Sequence, residues 1–213
     1  MIDVAEQINA VSRKLGSRVF GPGEARVSIM SQAYDADVDD VWDACTNPER
    51  LPRWFLPVTG DLKIGGKYQL EGNAGGTIER CDPPKGFFAT WEFNGMVSWI
   101  EVRVGPESDG RTRLELEHTA HVDDDLWAEY GPGATGIGWD LVFWGLTNHL
   151  APGGPAVTPE NAEAWAASPG GVAFVTAAAE RWRLAHVESG TAEETAKAAA
   201  ERVTAFYAPP PED

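Results

Sequence analysis

Between Ala134 and Leu150 the chain carries Ile137, Trp139, Leu141, Val142, Phe143, Trp144, Leu146 and Leu150, which wind around most of the circumference of a helix. A helix apolar nearly all round has no face to offer water, so other elements must enclose it. The preceding sequence supplies an enclosure. Between Val58 and His121 apolar and polar residues alternate in short runs, cut by Gly65-Gly66, Gly72-Asn73, Pro83-Pro84, Asn94-Gly95 and the stretch from Gly105 to Gly110. Alternation of period two between turn signals predicts an antiparallel six-strand meander with one apolar face. That face takes Tyr68 and Leu70, then Phe87, Ala89, Trp91 and Phe93, then Ser98, Ile100, Val102 and Val104, and finally Leu114, Leu116 and His118. A one-faced sheet and an all-apolar helix each need a partner. Together they predict an α+β fold in which a curved antiparallel sheet wraps around a long helix.

The flanks extend this plan. Val4, Ile8, Val11 and Leu15 recur at helical spacing and predict an amphipathic N-terminal helix, ended by Gly16 and the Gly21-Pro22-Gly23 turn. Arg26 to Tyr34 reads as a further strand, with Val27, Ile29 and Ala33 on one face, which brings the sheet to about seven strands. Asp37 is placed to cap a helix with the stripe Val38, Val41, Trp42 and Cys45, Trp42 being read as core; Pro52 holds a second start at Asn47-Pro48 to about one turn. Beyond Pro152-Gly153-Gly154-Pro155 an Ala-rich tail predicts three helices, near 159–167, 169–188 and 192–207. Their starts are Thr158-Pro159, Ser168-Pro169 and a capping box at Thr191-Ala192-Glu193-Glu194. Phe174, Val175, Trp182, Val203 and Phe206 are available for docking, and Pro209-Pro210-Pro211 is expected to fray. The expected organisation is an N-terminal helical extension over 1–24, a sheet-and-helix domain over 25–151, and a helical extension over 152–213 packed on that domain. The tail holds too few apolar residues for a core of its own.

Charge and motifs exclude several function classes. With 33 Asp and Glu against 17 Lys and Arg, the formal charge is −16. Such a surface repels nucleic-acid phosphates and anionic membranes. No apolar run approaches the ~20 residues of a membrane span, and Met1-Ile2-Asp3-Val4-Ala5-Glu6 lacks the order of a secretory signal, so a cytoplasmic protein is expected. Cys45 and Cys81 form no metal-ligand pattern and are expected as small buried side chains. Gly131 to Gly136 spells G-x-G-x-x-G. Its lead-in, Asp123-Asp124-Asp125-Leu126-Trp127-Ala128-Glu129-Tyr130, is too acidic for a central parallel strand, and a turn stands where the ribose-binding acid belongs. The string is read instead as the rim of a pocket, with Gly136 and Gly138 allowing close approach of the long helix to the sheet. There is no G-x-S-x-G, H-E-x-x-H or G-x-x-x-x-G-K-S/T, and the acidic clusters read as helix caps, not calcium loops. No cofactor and no metal are expected.

Several segments in this order resemble a known family. They are Val41-Trp42-Asp43-Ala44, Thr46-Asn47-Pro48-Glu49-Arg50, Arg53-Trp54-Phe55, Gly60-Asp61-Leu62, Gly65-Gly66-Lys67-Tyr68, Thr90-Trp91-Glu92, Leu114-Glu115-Leu116-Glu117-His118 and Gly136-Ile137-Gly138-Trp139-Asp140. Over about residues 25–150 the chain resembles the START-like, birch-pollen-allergen-like helix-grip superfamily (SRPBCC), in the polyketide cyclase-like branch related to activators of the heat-shock-protein ATPase, and its extensions resemble those of actinobacterial members. The resemblance implies a deep apolar cavity between curled sheet and long helix, used by members to hold lipids, sterols, polyketides or other hydrophobic molecules. Some members catalyse cyclisation or hydration there; others bind chaperones, and a few actinobacterial relatives bind enediyne-type antibiotics and so protect their producers. One fold hosts all of these, and no motif here selects among them.

Candidate ligand contacts follow from that implied cavity. Trp54, Trp91, Trp139 and Phe143 offer large apolar area to a ligand, with plain core packing as the alternative. Tyr68 on an inward face and Tyr130 before the glycines each offer a hydroxyl, and Ser98 shares an inward face. His118 is the sharpest polar candidate. It shares a face with Leu114 and Leu116, whereas His121 faces the other way, which argues against a two-histidine metal site. His118 is either a general acid or base near neutral pH or a core histidine satisfied by its neighbours. Asp140, among the few polar residues of the long helix, is expected to bond a neighbouring backbone or Arg. The leading expectation is a carrier or sequestering protein for a hydrophobic small molecule, aromatic ones included. The alternatives are a cyclase or hydratase using His118 with Tyr68 or Tyr130, and a protein-interaction module whose partner is a chaperone or a second copy of the chain.

Overall fold

The computed structural model describes residues 3–154 and 159–208. The meander forms as β3 (Val58–Gly60), β4 (Lys67–Leu70), β5 (Gly75–Asp82), β6 (Gly86–Phe93), β7 (Met96–Pro106) and β8 (Thr112–Ala120). Its turns fall where the sequence placed them. Asn94 and Gly95 have φ of 50° and 77°, the left-handed pair that a two-residue hairpin between Phe93 and Met96 demands.

Two strands precede the meander, β1 (Ser12–Phe20) and β2 (Gly23–Tyr34). The sheet therefore has eight antiparallel strands, in the order β1-β2-β8-β7-β6-β5-β4-β3. The extra strand corrects the N-terminal expectation. Only α1 (Val4–Ala10), started by Asp3 whose carboxylate accepts the Glu6 N–H, is helical; Leu15 lies in β1, opposite Ser28 of β2. Val11 and Leu15 fit a helical stripe by spacing, but nine residues of ladder to β2 outweigh that local pattern. In β2 the residues turned to the main core are Met30 and Tyr34, with Gln32 donating to Thr147; Val27, Ile29 and Ala33 take the other face.

Between β2 and β3 the chain crosses in α2 (Val38–Thr46) and one 3-10 turn (Leu51–Arg53). Asp37 begins α2 but its side chain makes no cap bond. After β8 come α3 (Asp124–Tyr130) and the long helix α4 (Gly133–Leu150), then α5 (Pro159–Ala166), α6 (Pro169–Glu188) and α7 (Glu193–Tyr207). Ser168 caps α6 by accepting the Gly171 N–H. At α7 the expected capping box does not form: Ala192 is the N-cap residue, with no side-chain bond. The start signal at Thr158 and the run Pro209-Pro210-Pro211 lie outside the described residues.

Two stripes of α4 explain why it must be apolar nearly all round. Trp139, Val142, Phe143 and Leu146 face a cavity under the sheet, while Gly133, Gly136 and Asp140 face α6 and α7. A Cβ at Gly136 would stand 2.2 Å from Cε2 of Trp182, and one at Gly133 would stand 2.9 Å from Cγ1 of Val203. The expectation that Gly136 and Gly138 admit the sheet is thus corrected: Gly136 admits Trp182 of α6, Gly138 has the Tyr207 hydroxyl of α7 nearest, and the loop before them is not the pocket rim. Asp140, wholly buried, accepts from Arg13 at 2.6 Å and from Trp182 Nε1 at 2.8 Å, tying β1, α4 and α6 together. Phe174, Val175, Trp182 and Val203 are buried as expected, but Phe206 is exposed. Among the described residues no helix is long and apolar enough to cross a membrane.

Candidate functional site

The concave face of the sheet, α4 and the α2 crossover do not close completely on one another. They leave a cavity of about 370 Å³, within the range of small-molecule sites. The floor is built by pleat alternation: Phe87, Ala89 and Trp91 of β6, Ile100 and Val102 of β7, and Leu114 and Leu116 of β8. Tyr68, Leu70, Ile78 and Cys81 form one flank. The roof is Trp139, Val142, Phe143 and Leu146 of α4, and the remaining wall is Trp42, Cys45 and Thr46 of α2 with Leu51, Trp54 and Phe55 after it. No charged side chain lines this wall among the described residues.

Trp91 leans on Trp139 with ring centroids 4.8 Å apart, and Trp42 meets Phe87 edge-on at 6.4 Å. Two of the four cavity indoles are anchored to protein. Trp54 donates to the Ala44 carbonyl at 3.0 Å, and Trp139 donates to His118 Nδ1 at 3.1 Å. Tyr68 donates its hydroxyl to the Thr90 carbonyl at 2.6 Å, and burial pushes that hydroxyl's pKa up. The Cys45 thiol is pushed up to about 12 by burial, and burial also raises Cys81. Both are free thiols, half-buried against the cavity and not sealed in the core as expected.

Of the predicted ligand residues, Trp54, Tyr68, Trp91, Trp139 and Phe143 lie in the cavity wall; Ser98, His118 and Tyr130 do not. His118 sits behind Trp139. Its Nδ1 accepts the indole N–H, so Nε2 carries the proton and donates to Ser98 Oγ at 2.8 Å. Ser98 in turn donates to the Trp91 carbonyl. With both nitrogens engaged and burial lowering its pKa to about 4, His118 is a neutral positioning group for the two aromatic walls. Tyr130 stands at the end of α3, beside Glu129. Sequence reasoning assigned Trp42 to the core and missed Phe55, Ile78 and Val142. The i, i+3, i+4, i+7 spacing of Trp139, Val142, Phe143 and Leu146 was the signal available for Val142. Among the described residues no three His, Cys, Asp or Glu side chains gather as a metal site requires.

A curved antiparallel sheet gripping one long helix around an apolar cavity defines a START-like, SRPBCC-type ligand-binding fold. The chain belongs to the Activator of Hsp90 ATPase homolog 1-like family, whose match spans residues 35–151. It is similar to CalU16 from Micromonospora echinospora: 42% identity to the crystal structure over 74% of this chain and 97% of CalU16, with a TM-score of 0.58. Against the solution structure of CalU16 the figures are 37%, 85%, 97% and 0.69. DynU16, described as a protein in the dynemicin biosynthetic locus, shares the fold at 19% identity, over 60% of this chain and 48% of DynU16, with a TM-score of 0.52. No curated protein matches.

Proposed function

We propose that the protein binds a hydrophobic small molecule in the cavity under its sheet and carries or sequesters it. The observation that carries this reading is the wall itself: four tryptophans and three phenylalanines around 370 Å³, with no charge among the described lining residues. Indole and phenyl rings offer area without much side-chain entropy to lose, which suits flat polyketide- or polyaromatic-like ligands better than flexible acyl chains. A place in natural-product biosynthesis, or in self-resistance to an enediyne-type antibiotic, is consistent with such a ligand. The cyclase reading loses its acid–base group, because both His118 nitrogens are occupied behind Trp139.

Filling the cavity tests the proposal. Ala89 is buried on its floor, and Ala89→Phe places a ring in the open space. Native mass spectrometry of protein from its producing cell should show a retained ligand on the wild type and none on the variant, with the thermal midpoint equal or higher. Equal retention by both would place the ligand elsewhere and end this reading.

A further inference from the structure

Resting on the cavity reading above, we infer that the ligand is an elongated, uncharged, multi-ring molecule with a hydrogen-bond acceptor such as a carbonyl or ether at each end, laid along β6 between Trp42 and Trp91.

The argument begins with which donors are spent. Trp54, Trp139, Tyr68 and Thr46 already donate to protein acceptors, Thr46 to the Trp42 carbonyl. The indole N–H groups of Trp42 and Trp91 make no such bond, and both residues are only half-buried in the wall. They are the strongest unspent donors of the site. An indole N–H has no acceptor capacity, so the complementary ligand atom is an oxygen or nitrogen with a lone pair. The thiols of Cys45 and Cys81 stay protonated, because burial raises both, and they add weak donors.

Their placement sets the length. Trp42 lies edge-on against Phe87, and Trp91 stands four residues further along the same strand and face. Four residues of strand rise span about 13 Å. Phe87, Ala89 and Trp91 make the floor between the two donors, with Phe143 among the residues above it. An aromatic wall that runs about that far along β6, from the Phe87 ring that Trp42 abuts to Trp91, accommodates three or four fused rings.

The absence of charge in the described wall sets the ligand's ionic state. A carboxylate drawn into this wall would lose its hydration with no cation to replace it, a cost of several kcal/mol. The net charge of −16 adds long-range repulsion of anions.

Three anthracenes of matched shape test this by equilibrium dialysis against the full chain: 2,6-diacetylanthracene, 2,6-diethylanthracene and anthracene-2,6-dicarboxylate. The diketone should bind at least tenfold more tightly than the dicarboxylate and several-fold more tightly than the diethyl compound. Trp42→Phe and Trp91→Phe, which keep a ring and remove the N–H, should each weaken the diketone three- to tenfold while leaving the diethyl compound within twofold; the latter also checks that the cavity has survived. A dicarboxylate affinity within twofold of the diketone overturns the neutral-ligand inference and leaves the cavity reading standing. So does an unchanged diketone affinity in both variants, for the two-donor assignment. If none of the three binds, the cavity reading has failed and the inference falls with it.

Discussion

His118 shows how one buried side chain sets the shape of a site without touching its contents. Its unprotonated Nδ1 holds the Trp139 indole and its Nε2 proton holds Ser98, so both aromatic walls at that end of the cavity depend on a neutral ring. Burial lowers the pKa to about 4, against an ordinary value near 6.5. A base held neutral on folding binds fewer protons folded than unfolded throughout that interval. Its contribution is therefore complete above about pH 6.5 and is lost as the pH falls toward 4, by about 3 kcal/mol at most. Urea unfolding of the wild type and of His118→Gln at a series of pH values isolates this. The difference between them should slope between pH 6.5 and 4 and be flat above, and a parallel pair of curves would contradict it. Residue by residue, the sequence reading succeeded where the pleat decides. Tyr68, Trp91, Ile100, Leu116 and His118 all turn inward as alternation required, whereas Phe93, beyond the reach of α4 at the hairpin end, is exposed. It failed on Trp42, because an apolar stripe on α2 says which side faces protein and not whether that protein is in contact or a cavity away.

At the scale of elements, α4 is a helix shared between two covers; Gly133, Gly136 and Gly138 belong to the outer one, while Gly145 admits the Trp54 carbonyl on the inner side. Replacing Gly136 by Ala improves intrinsic helix propensity by up to about 1 kcal/mol. The added methyl meets Trp182 at 2.2 Å, and that ring is wholly buried and bonded to Asp140, so it cannot swing aside cheaply. Overpacking should win, with a net loss of about 1–3 kcal/mol in chemical denaturation. Gly138, whose Cβ would find only the Tyr207 hydroxyl at 3.4 Å, serves as the control: Gly138→Ala should be near neutral or stabilising. The same contrast explains a misreading. Glycine in an apolar helix signals close approach, but the identity of what approaches is a long-range fact. Likewise β1 looked helical because Val4, Ile8, Val11 and Leu15 keep a helical interval; the hairpin partner that makes residues 12–20 a strand is recognisable only once Gly21-Pro22 is read as its turn.

For the whole molecule the C-terminal helices are a wall of the core and not an appendage. Trp182, Phe174 and Val203 each expose 1% or less of their surface, and Trp182 completes the coordination of the Arg13–Asp140 pair. A chain ending at Ala151 would expose the outer stripe of α4 and leave Asp140 with one partner fewer. It should lose its cooperative thermal transition and bind a dye for exposed apolar surface; a sharp transition close to that of the full chain would show the tail to be dispensable. What the sequence determined by itself was whatever local periodicity and turn chemistry can encode: six meander strands, the long buried helix, three tail helices, and which side chains turn inward. Only the tertiary structure decided the eighth strand, the partner of each glycine, the neutral bonded state of His118, and the enclosure of the volume under the sheet. The physical reason is one of range. Periodicity is read over a few residues of one segment, whereas strand pairing, hydrogen-bond satisfaction and an unfilled volume are properties of segments that meet from distant parts of the chain.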